Sequence, residues 1–247
     1  MANWSDPRTT AAPYGSGVDT RSAAFDAGLR SYMLSVYNYM TSGVLLTGIV
    51  ALLFSWGGES SPAYAIMAGG GPLAWIIALS PLAIVFAMSF GQNRMSTGTL
   101  QALYWGFAVL MGLSLSTIFL TYTGTSIAGA FFATAAGFAA LSLWGYTTKK
   151  DLSAFGTFLI VGLVGIIVAS LINLFVQSSA LSLIVSIAGV LIFAGLTAYD
   201  TQKIKSIYFH VAGTEMQGKV VIMGALNLYL DFINMFLFIL RLFGSRD

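Results

Sequence analysis

Asn227, Asp231 and Asn234 stand at i, i+4 and i+7 in GALNLYLDFINMFLFILRLFG, residues 224–244, so a helix places all three on one face. The remaining faces carry Leu228, Leu230, Phe232, Ile233, Phe236, Leu237 and Phe238, which reads as a membrane-spanning helix with an acid near its middle. A charged side chain at mid-bilayer costs about 2.5–3.5 kcal/mol on insertion scales, so an intramembrane acid is a functional candidate by default. A polar stripe on an otherwise apolar helix requires an interior partner or a water-filled path.

Only one other acid lies in or at the end of an apolar stretch: Asp200, in LIFAGLTAYDTQKIKS. It reads equally as half of a carboxylate pair with Asp231 and as a solvated helix-end residue beside Lys203. Asp231 lies twelve residues beyond Lys219, roughly 18 Å at 1.5 Å per residue, whereas Asp200 sits nearer the surface. The sequence alone leaves open whether they meet. If they do, two carboxylates in a low-dielectric site cannot both ionise cheaply, one proton is shared, and the pair becomes a pH sensor. Deprotonated, the two are hard oxygen ligands, so Asp200 and Asp231 are also candidate transient ligands for Ca²⁺. Arg94 follows the second apolar stretch and is either a membrane anchor or a counter-charge for the acids. His210, near Glu215 in YFHVAGTEMQGK, reads as a solvated loop residue.

The elements that must position these groups are legible from composition. The chain has 247 residues, 57% hydrophobic and only 8% charged, where a soluble domain is nearer 25% charged. The class is an all-α integral membrane protein. Seven apolar stretches are long enough to span: 33–55, 73–90, 100–122, 126–146, 154–176, 180–199 and 220–243. Pro81 predicts a kink in the second. Residues 23–39 predict an interfacial helix leading inward, and residues 1–22, polar with Pro and Gly, a disordered tail ahead of a single domain over 23–247. The Gly112-x-x-x-Ser116 and Ala133-x-x-x-Gly137 pairs predict close helix packing.

Several function classes fall away. The absence of cysteine excludes disulfides, thiolate metal sites and cysteine nucleophiles, and a single histidine excludes a multi-His metal site. A net charge of +2 with scattered Lys and Arg gives no nucleic-acid footprint. No G-x-S-x-G occurs and MAGGGP lacks the lysine of a phosphate loop, so no enzyme and no cofactor are expected. An intramembrane hydrolase using two acids lacks a G-x-G-D type of context around either one. Arg8, Arg21, Arg30, Arg94, Lys149, Lys150, Lys203, Lys205 and Lys219 all precede odd-numbered spans, which predicts a cytoplasmic N-terminus. Arg241 and Arg246 lie on the far side if the last stretch crosses fully, and on the near side if it re-enters. Length favours crossing.

AYDTQKI followed by LNLYLDFINMFLFILRLFG resembles the C-terminal signature of the Bax inhibitor-1 family in a bacterial version, as do FDAGLRSYMLSVYNYM and TKKDLS. The likeness covers Phe25 to Phe243. It implies a seven-helix bundle with the C-terminal helix central and wrapped by the other six. It also implies a pH-sensitive calcium leak in an inner membrane, gated by Asp200 and Asp231, with Arg94 near the position of a basic residue that pairs with them. The alternative it implies is an adaptor that modulates other membrane proteins, such as a membrane-bound protease. The stretch SIYFHVAGTEMQGKV between the two motifs departs from the family pattern in length and in its histidine.

Overall fold

The computed structural model describes residues 16–67 and 69–246, with side chains from residue 25 onward. Nine α-helices run through them: α1 (Ser16–Phe54), α2 (Pro62–Met67), α3 (Pro72–Gly91), α4 (Thr97–Leu115), α5 (Ile118–Thr121), α6 (Gly124–Thr147), α7 (Ser153–Val176), α8 (Ser179–Val211) and α9 (Met216–Phe243). Seven spans are long and apolar enough to cross a membrane: α1 from Phe25, α3, α4 with α5, α6, α7, α8 and α9. Residues 1–15 of the expected tail lie outside the described residues. Residues 16–22 are helical instead, continuous with the first span. Pro13 is the last residue that would block propagation, and each further residue then adds a backbone bond to a helix already nucleated.

The turn chemistry that punctuates the sequence becomes helix caps. Ser96 Oγ accepts from Thr99 N–H at the start of α4 (3.1 Å). Thr123 Oγ1 accepts from Ser126 N–H at α6 (3.2 Å), and Ser178 Oγ from Leu181 N–H at α8 (3.3 Å). Gln177, with φ of 52°, ends α7 in the left-handed conformation. Helix α3 runs unbroken through Pro81, which is buried. Of the two small-residue pairs, Gly112 lies against Thr47 and Val50 of α1, where a Cβ would clash. At Gly137 an added Cβ would meet nothing within 4 Å, so no helix packs closely against it.

Helix α9 is the most buried span: two thirds of its most apolar window is covered, against a third or less in every other. It packs on α1, α4, α6 and α8, while α3 and α7 make their main contacts with α4 and α8. Four of the six other spans therefore close round it, not all six. Tyr229 shows how the interior is tied: its hydroxyl shares a 2.7 Å hydrogen bond with Thr47 Oγ1, which also contacts the Ala108 carbonyl at 2.8 Å. Three helices meet there. Phe232 stands edge-on to Phe131 (5.6 Å) and Phe138 (5.5 Å) of α6.

The far end of α9 decides between crossing and re-entry. Ser245 N–H donates to Ser126 Oγ (2.9 Å), and Thr123 N–H donates to the Ser245 carbonyl (3.1 Å). The tail is thus fastened beside the start of α6, at the opposite end of the bundle from the α8–α9 turn. Helix α9 crosses the whole bundle, and Arg241 and Arg246 sit at the end away from Arg94, Lys149, Lys150 and Lys219.

Candidate functional site

The geometry of the two acids turns on how far α8 continues. The sequence ends the sixth stretch at Tyr199, where TQKIKS turns polar, yet the helix runs twelve residues further to Val211. Thr201, Ile204 and Tyr208 recur at spacings of three and four and are buried, so this extension is amphipathic and docked. Tyr208 packs on Phe25 (5.2 Å) and Tyr32 (5.1 Å) of α1, and Tyr32 Oη donates to the Ile204 carbonyl (3.4 Å). The stretch that looked like a long loop is mostly helix, with His210 exposed in its last turn and Glu215 exposed at the start of α9.

This lengthening removes the depth problem. Asp200 lies eleven residues before the end of α8, and Asp231 lies fifteen residues after the start of α9. The antiparallel pair thus places them within about one helical turn of each other in depth, roughly 6 Å. Their carboxyl groups stand within hydrogen-bonding reach. Asp231 is only 4% exposed, and its Oδ2 is buried with no donor among the described residues. Two carboxylates offer each other no proton, so a hydrogen bond between them exists only when one proton is held on the pair.

Both acids line a cavity of about 620 Å³ between α7, α8 and α9, together with Asn227, Asn234 and Lys203. All three polar groups of the α9 stripe therefore face one space. Lys203, one turn along α8, is the basic group whose field reaches Asp200, and its ammonium lies 5.8 Å from the Tyr199 ring centre. Arg94 is exposed in the α3–α4 turn and does not line the cavity. In the sequence Lys203 reads only as a neighbour at a solvated helix end. Its i+3 spacing from Asp200 was the available signal. A second cavity of about 450 Å³ shares Ser170, Leu174, Asn234 and Phe238 with the first and reaches Arg241 and Arg246. Among the described residues no three acids or histidines cluster as metal ligands. Two carboxylates fall well short of the 6–8 oxygens that a resident Ca²⁺ takes.

Residues just beyond Asp200 hold α8 in place. Gln202 Oε1 accepts from Leu152 N–H (2.9 Å) while its Nε2 donates to the Lys150 carbonyl (2.8 Å), clamping the α6–α7 turn. Lys205 Nζ donates to the Tyr146 carbonyl (2.7 Å) and lies 4.8 Å over that ring, capping the C-terminal end of α6. Within the same turn, Asp151 Oδ1 accepts from Ser153 N–H (2.9 Å), and hydrogen bonds from Ser153 hold this exposed carboxyl below its usual range. The AYDTQKIK and TTKKDLS segments are thus two halves of one clamp. Gln202→Leu strands two backbone groups, a loss of about 1–2 kcal/mol. Trypsin should then cut after Lys149 or Lys150 several-fold faster in the variant than in the wild type.

A family profile described as inhibitor of apoptosis-promoting Bax1 matches residues 29–247. The inner membrane protein YbhL of Escherichia coli is 45% identical over 223 residues, covering 89% of this chain and 94% of that protein. A protein of Rickettsia prowazekii is 47% identical over 227 residues, covering 92% and 94%. A membrane protein of Streptococcus pyogenes is 37% identical over 222 residues, covering 90% and 96%. The profile runs through the spans that carry both acids, and with seven helices apolar and long enough to cross a membrane this chain is a multi-pass membrane protein and belongs to the Bax inhibitor-1 family.

Proposed function

We propose that the protein is a pH-sensitive cation leak of a bacterial inner membrane, passing Ca²⁺ down its gradient under control of the Asp200–Asp231 pair. The observation that carries this reading is the meeting of two acids from α8 and α9 inside a cavity lined by the polar stripe of α9. A fold that only needed helix packing would gain nothing from a buried carboxylate oxygen without a donor. With a proton held between them, the acids bond α8 to α9 and the path is closed. Without it, like charges separate the helices, the cavity hydrates, and carboxylate and amide oxygens replace part of the shell of a passing Ca²⁺. Flux therefore rises as pH rises, and Ca²⁺ is cargo, not a resident cofactor. The second cavity continues this path toward the far end of α9.

The test is Ca²⁺ uptake into proteoliposomes between about pH 6 and 8, the range in which a proton-gated leak would act at physiological pH. Wild-type flux should climb across that range. Flux that is flat in the wild type, or that Asp200→Asn leaves unaltered, overturns the reading. Arg241 and Arg246 place two positive charges at the far mouth, which lowers the local concentration of cations. Arg241→Gln should accordingly raise Ca²⁺ flux about two- to fivefold at low salt, with the pH midpoint unmoved, and the gain should shrink as ionic strength rises.

A further inference from the structure

A groove of about 730 Å³ runs between α1 and α6, on a different side of α9 from the acids. Its two ends differ in chemistry. At one end stand Arg30, Tyr37, Ser142 and Tyr146; further along, the walls are side chains of α1 and α6 that are apolar apart from Thr41, and Phe232 of α9 also lines it. No carboxylate lines it. Asp26, one turn before Arg30, does not line the groove but shares with Arg30 an adjoining shallow surface. Lys205, held against the Tyr146 carbonyl, adds a second positive charge beside the polar end.

Two observations mark this as more than a seam between helices. The Tyr37 hydroxyl is buried yet finds no hydrogen-bond partner among the described residues, although Tyr37 lines the groove. A buried hydroxyl without a partner is costly, so a ligand acceptor at that level would recover the loss. The groove also has the length of a lipid tail. Arg30 and Leu45 line its two ends on α1, fifteen residues apart, which is roughly 22 Å at 1.5 Å per residue. That spans from the interface to the midplane of a hydrocarbon core of about 30 Å.

We propose that this groove is a binding site for one anionic glycerophospholipid of the leaflet that meets the Arg30 end. Arg30 takes the phosphate, with Lys205 adding to the positive field. The Tyr37 hydroxyl donates to an ester carbonyl one to two turns deeper. One acyl chain lies along Leu34, Met40, Val44 and Ala135 and reaches Phe232, the residue next to Asp231. A zwitterionic lipid lacks the net charge that the polar end selects, and a free fatty acid has no ester carbonyl for Tyr37.

Native mass spectrometry of the full chain, exchanged into micelles with equal phosphatidylglycerol and phosphatidylcholine of matched chains, tests the site. The wild type should retain one phosphatidylglycerol at least fivefold over phosphatidylcholine. Arg30→Gln should erase that preference, and Tyr37→Phe should reduce retention about threefold. Ala135→Phe, which fills the groove, should release the lipid. If that variant does not fold, Thr41→Phe, at an exposed position on the same wall, makes the same test. Equal retention of the two lipids by the wild type overturns the proposal. So does retention that survives both groove-filling variants, or a preference for added oleate over phosphatidylglycerol.

Discussion

Asp231→Asn is expected to reduce Ca²⁺ flux at about pH 8 by tenfold or more and to flatten the pH profile down to about pH 6. The amide has the shape of the acid and can donate permanently to Asp200, so it imitates the protonated pair. The sign follows from that. A closed state held by a shared proton is favoured at low pH and lost as the proton leaves, so the wild type opens upward in pH and the variant stays shut. The magnitude follows from Coulomb's law: two unit charges about 4 Å apart repel by about 4 kcal/mol at an effective dielectric near 20. A third of that energy already shifts an equilibrium tenfold. Asp200→Asn should act in the same direction, since either partner can hold the proton. An Asp231→Asn variant whose flux still climbs with pH would place the sensor elsewhere.

Gly145→Val is the second substitution with a large expected effect, this time on the scaffold. Gly145 of α6 faces the backbone of Ala198 in α8, and an added Cβ would stand 2.9 Å from the Ala198 Cα. Backbone cannot swing aside as a side chain can, so α6 and α8 must separate. Overpacking of this kind costs about 1–3 kcal/mol. Ala198 is two residues before Asp200, so the shift also moves the acid away from α9. Thermal unfolding in micelles should show a clearly lower Tm for Gly145→Val, together with a leak whose pH dependence is blunted. Gly137→Ala on the same helix is the control: nothing lies within 4 Å of its added methyl, and alanine favours helix by up to about 1 kcal/mol. Equal melting of the two variants would remove the α6–α8 contact from the account.

The seven spans were legible because hydropathy is a bulk property: about twenty apolar residues and a terminating polar turn are visible without any partner. The stripe at Asn227, Asp231 and Asn234 was legible for a similar reason, since helical periodicity alone puts those residues on one face. The end of α8 was not. Thr201, Gln202, Lys203 and Lys205 look like a solvated turn until Ile204 and Tyr208 are seen packed on α1, and their burial depends on a helix whose Tyr32 lies 172 residues from Ile204 in sequence. Since the register of α8 against α9 depends on that extension, the meeting of Asp200 and Asp231 could not be deduced from depth counting. The roles of Gln202 and Lys205 as a clamp were hidden likewise, because their partners are backbone groups of another turn. Charge placement left Arg94 open between an anchor and a counter-charge: its position beside a span end is visible in sequence, and its side chain is exposed outside the acid cavity, where Lys203 stands.

The proposed gate is one proton held jointly by two carboxyls. Infrared difference spectroscopy of the protein in bilayers between about pH 6 and 8 observes that proton through the C=O stretch of a protonated carboxyl. The expected result is a single band that fades as pH rises in the wild type and is absent in both Asp200→Asn and Asp231→Asn. A band that persists unchanged in Asp200→Asn would show a proton belonging to Asp231 alone, and the shared-proton gate would be wrong.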